Sequence, residues 1–291
     1  MGRSSALILA AAAAVLGASV SAHAADLLPP PPMPEPPPPA PVDFGGWYLR
    51  GDVGVGATQL TDWRASFAPV DLAGNPNQTV STPGYISLGD QAFAGAGFGY
   101  QFNNWFRVDF TGEYRTEANY RATQLYTFPT GPGAWAPVAG DGYFGNLGSA
   151  VFLANGYVDL GTWYGITPFV GGGVGVANTW MKGFSDGPAL GFAADTNKTN
   201  FAWAVMGGLA LNVTNNLKLE LGYRYLDMGG FQTNPIVCIQ AAGCALERHN
   251  FNLASHDVRL GLRYNLGGFG PAPALAPIGP FAGPGPLIRK Y

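Results

Sequence analysis

Between Trp105 and Arg115, polar and apolar residues change places at nearly every step. Arg107, Asp109, Thr111, Glu113 and Arg115 share one parity; Phe106, Val108, Phe110 and Tyr114 share the other. A β-strand sends successive side chains to opposite faces, so this segment is predicted to be a strand with one ionic and one apolar face. The same period of two recurs along the chain. In WYLRGDVGVGAT, Trp47, Leu49, Val53 and Val55 oppose Arg50 and Asp52, and in AFAGAGFGYQF, Ala94 to Phe102 oppose three glycines and Gln101. SAVFLANGYVDL sets Phe152, Val158 and Leu160 against Asn155, Tyr157 and Asp159, and ITPFVGGGVGVA sets its valines against glycines. FAWAVMGGLALNV, LKLELGYRY and HDVRLGLRYNL complete the set, the last two carrying Lys218, Glu220 and Arg224, then Asp257, Arg259 and Arg263, on their polar faces. Together these are eight strands of roughly 9–13 residues, enough to cross a bilayer at a tilt.

The connections between them alternate in length. Asn103-Asn104, Gly161–Tyr164 and Thr214–Asn216 are tight turns, whereas the stretches near Gln59–Asp90, Ala118–Gly148, Asn178–Asn200 and Gly229–Leu253 read as long loops. Short turns on one side and long loops on the other are the pattern of an outer-membrane barrel. A rival reading takes the uncharged run Gly161–Met181 as a transmembrane helix. Its glycines and Pro168 disfavour that, at about 1 kcal/mol per interior Gly and about 3 for Pro. The predicted fold is therefore all-β, an eight-stranded antiparallel transmembrane β-barrel with short periplasmic turns and long extracellular loops.

In such a barrel the apolar face meets lipid and the ionic face is the inside. Arg50, Arg107, Arg115, Lys218, Arg224, Arg259 and Arg263 are then interior cations, and Asp52, Asp109, Glu113, Asp159, Glu220 and Asp257 interior anions. Their near balance is expected of groups whose desolvation must be offset by pairing. Lumen-facing glycines leave room for these long side chains. Eight strands enclose only enough space for side chains to fill, so a plugged lumen is expected. Aromatic residues fall at both ends: Trp47, Tyr48, Trp105, Phe106, Trp163 and Tyr164 near the turns, and Tyr114, Trp180, Phe201, Trp203, Tyr223 and Tyr225 near the loops. They are expected to form two interfacial belts.

Composition narrows the class further. Only 11% of the 291 residues are charged, against about a quarter in ordinary globular chains, and 13% are aromatic. A net charge of -3 argues against a nucleic-acid partner. Residues 1–24 combine Arg3, an apolar run and Ala22-His23-Ala24, which reads as a secretory signal cleaved after Ala24. Residues 25–44 are a proline-rich spacer, 45–266 the barrel, and 267–291 a Pro/Gly-rich tail. Cys238 and Cys244 then face an oxidising space, where a small-loop disulfide is expected.

The proline-rich run, GGWYLRGDVGVG, FRVDFTGEYR, LANGYVDLG, ITPFVGGGVGVA and HDVRLGLRYNL resemble the opacity-type, OmpA-like family of small outer-membrane β-barrels, the porin-family surface antigens of Gram-negative bacteria. The resemblance covers about Gly45 to Leu266. It implies outer-membrane localisation and contact with lipid and lipopolysaccharide. It also implies assembly by the barrel-assembly machinery and a structural or surface-contact role through the loops, with host or surface ligands. A narrow porin is the alternative. Loop aromatics (Trp63, Phe67, Tyr126, Trp135, Phe231) suit either adhesion or loop packing. No cofactor and no enzymatic activity are expected. Gly95–Gly99 lacks the following helix that a phosphate loop requires. Ser255, His256 and Asp257 are consecutive on a strand and cannot form a relay. Lipid A deacylases use a lipid-facing His with a Ser two residues later, and here that position is Val258.

Overall fold

The computed structural model describes residues 45–78, 80–127, 129–131, 134–135, 139–187, 191–239 and 246–267. The expected signal segment, the proline-rich run, Cys244 and nearly all of the C-terminal tail lie outside them. Eight wall strands run β1 (Gly46–Ser66), β2 (Gln91–Gln101), β3 (Phe106–Thr127), β4 (Ala139–Asp159), β5 (Ile166–Asp186), β6 (Thr196–Asn212), β7 (Leu217–Gln232) and β8 (Arg248–Asn265). Each pairs antiparallel with its sequence neighbours, and β8 pairs with β1 from Tyr48↔Asn265 to Ser66↔Arg248, closing the ring. Gly161–Met181, the rival helix, is a turn followed by β5.

The strands are longer than the alternation predicts. The stretches read as long loops are largely strand, so that β3 carries 22 residues and β4 and β5 carry 21 each. At about 3.3 Å per residue and a tilt near 40°, such strands rise about 50 Å along the barrel axis, roughly twice the height of an apolar membrane band. The segment Val80–Leu88 pairs with the upper part of β3 and prolongs β2 beyond a break at Gly89–Asp90. Among the described residues no ladder joins it to β1, so Ala57–Ser66 pair only with β8.

Bulges explain why the simple alternation stops short. β3 slips against β4 between Arg115 and Ala118, β1 against β8 between Thr61 and Arg64, and β7 against β8 between Asp227 and Gly229. An extra residue reverses which parity faces inward. Inside β3, Arg107, Asp109 and Arg115 are thus followed by Ala118, Tyr120, Ala122 and Gln124, all buried, while Asn119, Arg121 and Thr123 turn outward. β5 makes the same change at Gly183, whose φ of +61° is in the left-handed region, passing from Met181 to Phe184. The β3 bulge is held from inside the barrel. Gln91, fully buried, donates Nε2–H to the Thr116 carbonyl at 2.9 Å and to the Leu147 carbonyl at 3.0 Å.

Two zones result. Over the lower part of the wall the outward residues are apolar: Leu49, Val53, Phe98, Phe110, Val174, Leu221 and Leu260 are all exposed. Trp47, Trp105 and Trp163 stand below this band, and Tyr114, Phe201, Trp203 and Tyr223 above it. Tyr48 departs from its expected place in the lower belt. Its parity turns it inward, where it is fully buried and its hydroxyl donates to Asp109 at 3.1 Å. Above the upper belt the wall is polar outside. Asn178 donates to Asn197 and Thr199, Asn252 to Asp62, and Gln232 to Asn250. Here the interior is apolar, built on Leu147, Met181, Phe184, Leu226, Met228, Phe231, Phe251 and Leu253.

Candidate functional site

The interior of the lower zone is a stack of ionic layers. Strands β1, β3, β4, β7 and β8 deliver long charged side chains at inward positions, and glycines clear the space they occupy. A Cβ on Gly56 would strike Arg115 and Asp257, and one on Gly54 would strike the Phe93 ring. At the centre, Arg50 reaches Asp109 at 2.7 Å and Asp52 at 2.8 Å, and donates to the Tyr157 hydroxyl at 2.9 Å. Asn155 donates to the other oxygen of Asp109 at 2.8 Å. Arg259 lies 3.5 Å from Asp52.

Above this, Asp257 is the hub of a second layer. Both of its oxygens accept from Arg115, at 2.7 and 2.9 Å; one accepts from Ser255 at 2.6 Å and the other from Arg224 at 2.7 Å. Arg224 also bonds Glu113 at 2.7 Å, and Glu113 lies 3.3 Å from Arg115. The Phe93 ring lies beneath both guanidinium groups, at 5.0 and 5.2 Å. Below the centre, Arg107 meets Asp159 at 3.2 Å and Glu220 at 3.4 Å, and stacks on the Tyr157 ring at 4.1 Å. Arg263 meets Glu220 at 3.0 Å. Arg107, Arg115 and Arg263 are fully buried.

Lys218, expected as part of this network, stands apart at the short-turn mouth. Among the described residues it has no carboxylate within 4.0 Å, because β7 sets it one inward position below Glu220, which Arg263 and Arg107 already engage. Cys238 is disulfide-bonded, whereas Cys244 lies outside the described residues. Ser255 and Asp257 face the interior, while His256 faces outward beside Tyr223 and Tyr225.

A second buried network, in the upper zone, has no counterpart in the expected sites. Trp63 Nε1–H donates to the Tyr120 hydroxyl at 2.7 Å, and that hydroxyl lies 2.8 Å from His249 Nδ1. A carboxylate only accepts, so Nε2–H donates to Glu247 at 2.9 Å, and in the neutral ring Nδ1 then accepts the Tyr120 hydroxyl proton. Tyr143 donates to Glu247 at 2.7 Å, and Gln124 donates to both. Burial, joined at Tyr143 by the Glu247 carboxylate, holds both phenols protonated well above their ordinary range. His249 is walled by the rings of Trp63, Tyr143 and Phe184 at 4.5 to 4.9 Å, so the group works as a polar rivet within an apolar core. Of the aromatics read as loop residues, Trp63 and Phe231 thus pack inward; the side chains of Tyr126 and Trp135 lie outside the described residues. Continuing the odd parity of β8 upward from Arg259 through Asp257 and Ser255 leads directly to His249. Among the described residues, no group of three or more His, Cys, Asp or Glu side chains is placed to hold a metal.

At the top of the wall, apolar side chains reappear on the outside, clear of the membrane band. Val70, Leu72, Tyr85, Phe192 and Ile239 are exposed there. Phe192 pairs across a short ladder with Val237, which is also exposed. Just above the upper belt, Trp180 and Lys182 reach across Gly148 to Glu117, at 3.0 and 2.6 Å. Lys182, then Trp180, holds the Glu117 carboxyl below the usual carboxylate range.

Comparison with known proteins adds five findings. The family described as outer membrane protein beta-barrel domain matches residues 10–265. An uncharacterized protein of Brucella abortus is 32% identical over 247 residues, covering 76% of this chain and 85% of the relative. A Rickettsia typhi protein named as a candidate adhesin is 33% identical over 118 residues, 39% of this chain and 50% of that protein. The outer membrane protein PagN of Salmonella typhimurium is 30% identical over 124 residues, 39% of this chain and 48% of that protein. Among solved structures, OprG from Pseudomonas aeruginosa aligns with a TM-score of 0.45 at 16% identity, over 77% of this chain and 98% of that one.

Proposed function

The chain belongs to the outer membrane protein beta-barrel domain family and resides in the outer membrane, and on that footing we propose that it is a surface-contact barrel with a plugged interior. The observation that carries this reading is the upper rim. Strands that only had to cross the membrane would end near the upper belt. These continue well beyond it, close a core of their own, and present Phe192, Val237 and Ile239 uncovered at the top. Exposed apolar side chains on an otherwise polar outer wall favour contact with another surface. The adhesin-type name of the Rickettsia relative and the outer-membrane name of PagN point the same way.

The ionic layers give the barrel a structural role. Charged hydrogen bonds between strands distant in sequence tie the wall together, as Arg50 of β1 does with Asp109 of β3 and Arg224 of β7 with Glu113 of β3. Such a lumen is a plug, since water could pass only by breaking buried pairs at several kcal/mol each. Purified, folded protein in a planar bilayer is expected to stay silent. Stable channel steps altered by substituting Arg107 or Arg259 would replace this reading with a narrow porin. Displayed on a non-adherent Gram-negative host, the protein is expected to raise retention on cultured animal cells, and the double substitution Phe192→Ser with Ile239→Ser to lower it severalfold. Retention no greater than that of the undecorated host would remove the contact role.

A further inference from the structure

The short-turn mouth holds a recess of about 510 Å³, lined by amide side chains of Gln101, Asn104, Asn212, Asn216 and Asn265, with Lys218 as its charged member. The layer directly above it is rich in cations. Arg263 occupies the inward position on β8 next above Asn265 and pairs across the ladder with Lys218. Arg107 pairs across the ladder with Gln101. These three cations face two carboxylates, Asp159 and Glu220, and Glu220 is shared further with Arg50 at 3.4 Å. Both Nη atoms of Arg263 are buried without a hydrogen-bond acceptor, while Arg107 Nη2 is ion-paired to Glu220 at 3.4 Å. Charged donors are rarely left so, because each loses hydration without compensation. A local excess of positive charge thus lies one layer above a polar recess whose own charged side chain, Lys218, has no carboxylate within 4.0 Å among the described residues.

We propose that this recess binds an oxyanionic group, a carboxylate or a phosphate, carried by a periplasmic solute. Lys218 meets the anion first at the mouth. Arg263 and Arg107, one layer above and outside the lining of the recess, add their charge to the attraction. The amide walls offer both donors and acceptors to the rest of the molecule. This site is independent of the rim and of whether the barrel contacts other surfaces.

The test is isothermal titration of the refolded full-length protein in nonionic maltoside micelles. Sodium phosphate and sodium acetate are the probes, and sodium chloride at matched ionic strength is the control. Saturable one-to-one binding of either oxyanion, absent with chloride, is expected, and the tighter of the two identifies the group for which the recess is built. Lys218→Met removes the outermost cation, and Asn104→Asp adds a repelling carboxylate without touching the interior. Each should weaken binding about tenfold or more. No saturable heat with either oxyanion, or unchanged affinity in both variants, would overturn the proposal. Folding of each variant is read from heat-modified gel mobility; should Lys218→Met fail to fold, Asn104→Asp decides alone.

Discussion

Below the belt of Tyr114, Phe201 and Tyr223 this barrel is apolar outside and ionic inside; above it, the same eight strands are polar outside and apolar inside. The contrast shows how one architecture answers two solvents. In the lower zone lipid accepts the apolar face, so the other parity is left to fill the lumen and must satisfy itself by pairing. In the upper zone water takes the polar face, and the interior is stabilised in the ordinary way by removing apolar area from water. In β1, β3, β5 and β7 the passage from one zone to the other coincides with an extra residue. That reset lets Tyr120, Phe184 and Phe231 follow Arg115, Met181 and Met228 on the inside without a change in the pleat.

The sharpest way to break the contrast is to reverse the faces above the reset. Exchanging Tyr120 and Arg121 (Tyr120→Arg with Arg121→Tyr) should drive a guanidinium into the apolar interior. The upper core should be lost, at more than about 4 kcal/mol. Trypsin is then expected to cut within the upper wall while the lower barrel keeps its heat-modified gel shift; an upper wall as protease-resistant as the parent's would contradict the parity account. Next in size, Asp257→Leu strands the guanidinium groups of Arg115 and Arg224. It should lower stability by about 3–5 kcal/mol, measured by denaturant unfolding in lipid vesicles.

A matched pair of substitutions tests the outer faces. Leu221→Arg, in the apolar band, should cost about 2–4 kcal/mol, and Thr199→Arg, above it, should stay within about 0.5. Equal costs would erase the boundary drawn here. The smallest effect concerns Glu117, whose lowered carboxyl favours the fold above the ordinary carboxylate range and loses that contribution as pH falls through its lowered value. In an NMR titration, Lys182→Met should move the Glu117 midpoint upward towards that ordinary range; an unmoved midpoint would discount the contact.

Legibility in the sequence followed the same boundary. The lower strands could be read because alternation there is unbroken, and the inward rows Arg50–Asp52 and Asp257–Arg263 followed from parity alone. Above the belt, a reader who keeps parity through Thr116 sees Asn119, Arg121 and Thr123 on the face assigned to the interior and concludes that the strand has ended. Resumed after a one-residue skip, Ala118, Tyr120, Ala122 and Gln124 alternate as cleanly as before. Tyr48 was misread because a tyrosine beside Trp47 suits a membrane interface, whereas its parity belongs with Arg50. Lys218 shows the limit of parity: it gives the face but not the height, and one position separates a paired interior cation from one at the mouth.

The closure of the ring sets the order in which this chain can fold. β1 is made first, yet Tyr48 finds Asn265 only when the last wall strand exists, and Ala57–Ser66 have no other ladder among the described residues. Contacts so distant in sequence carry a high loop-closure entropy and form slowly. Until they form, two strand edges present unpaired amides to a medium that cannot hydrate them. β8 is therefore the latch of the molecule, and its docking is the expected rate-limiting event of folding.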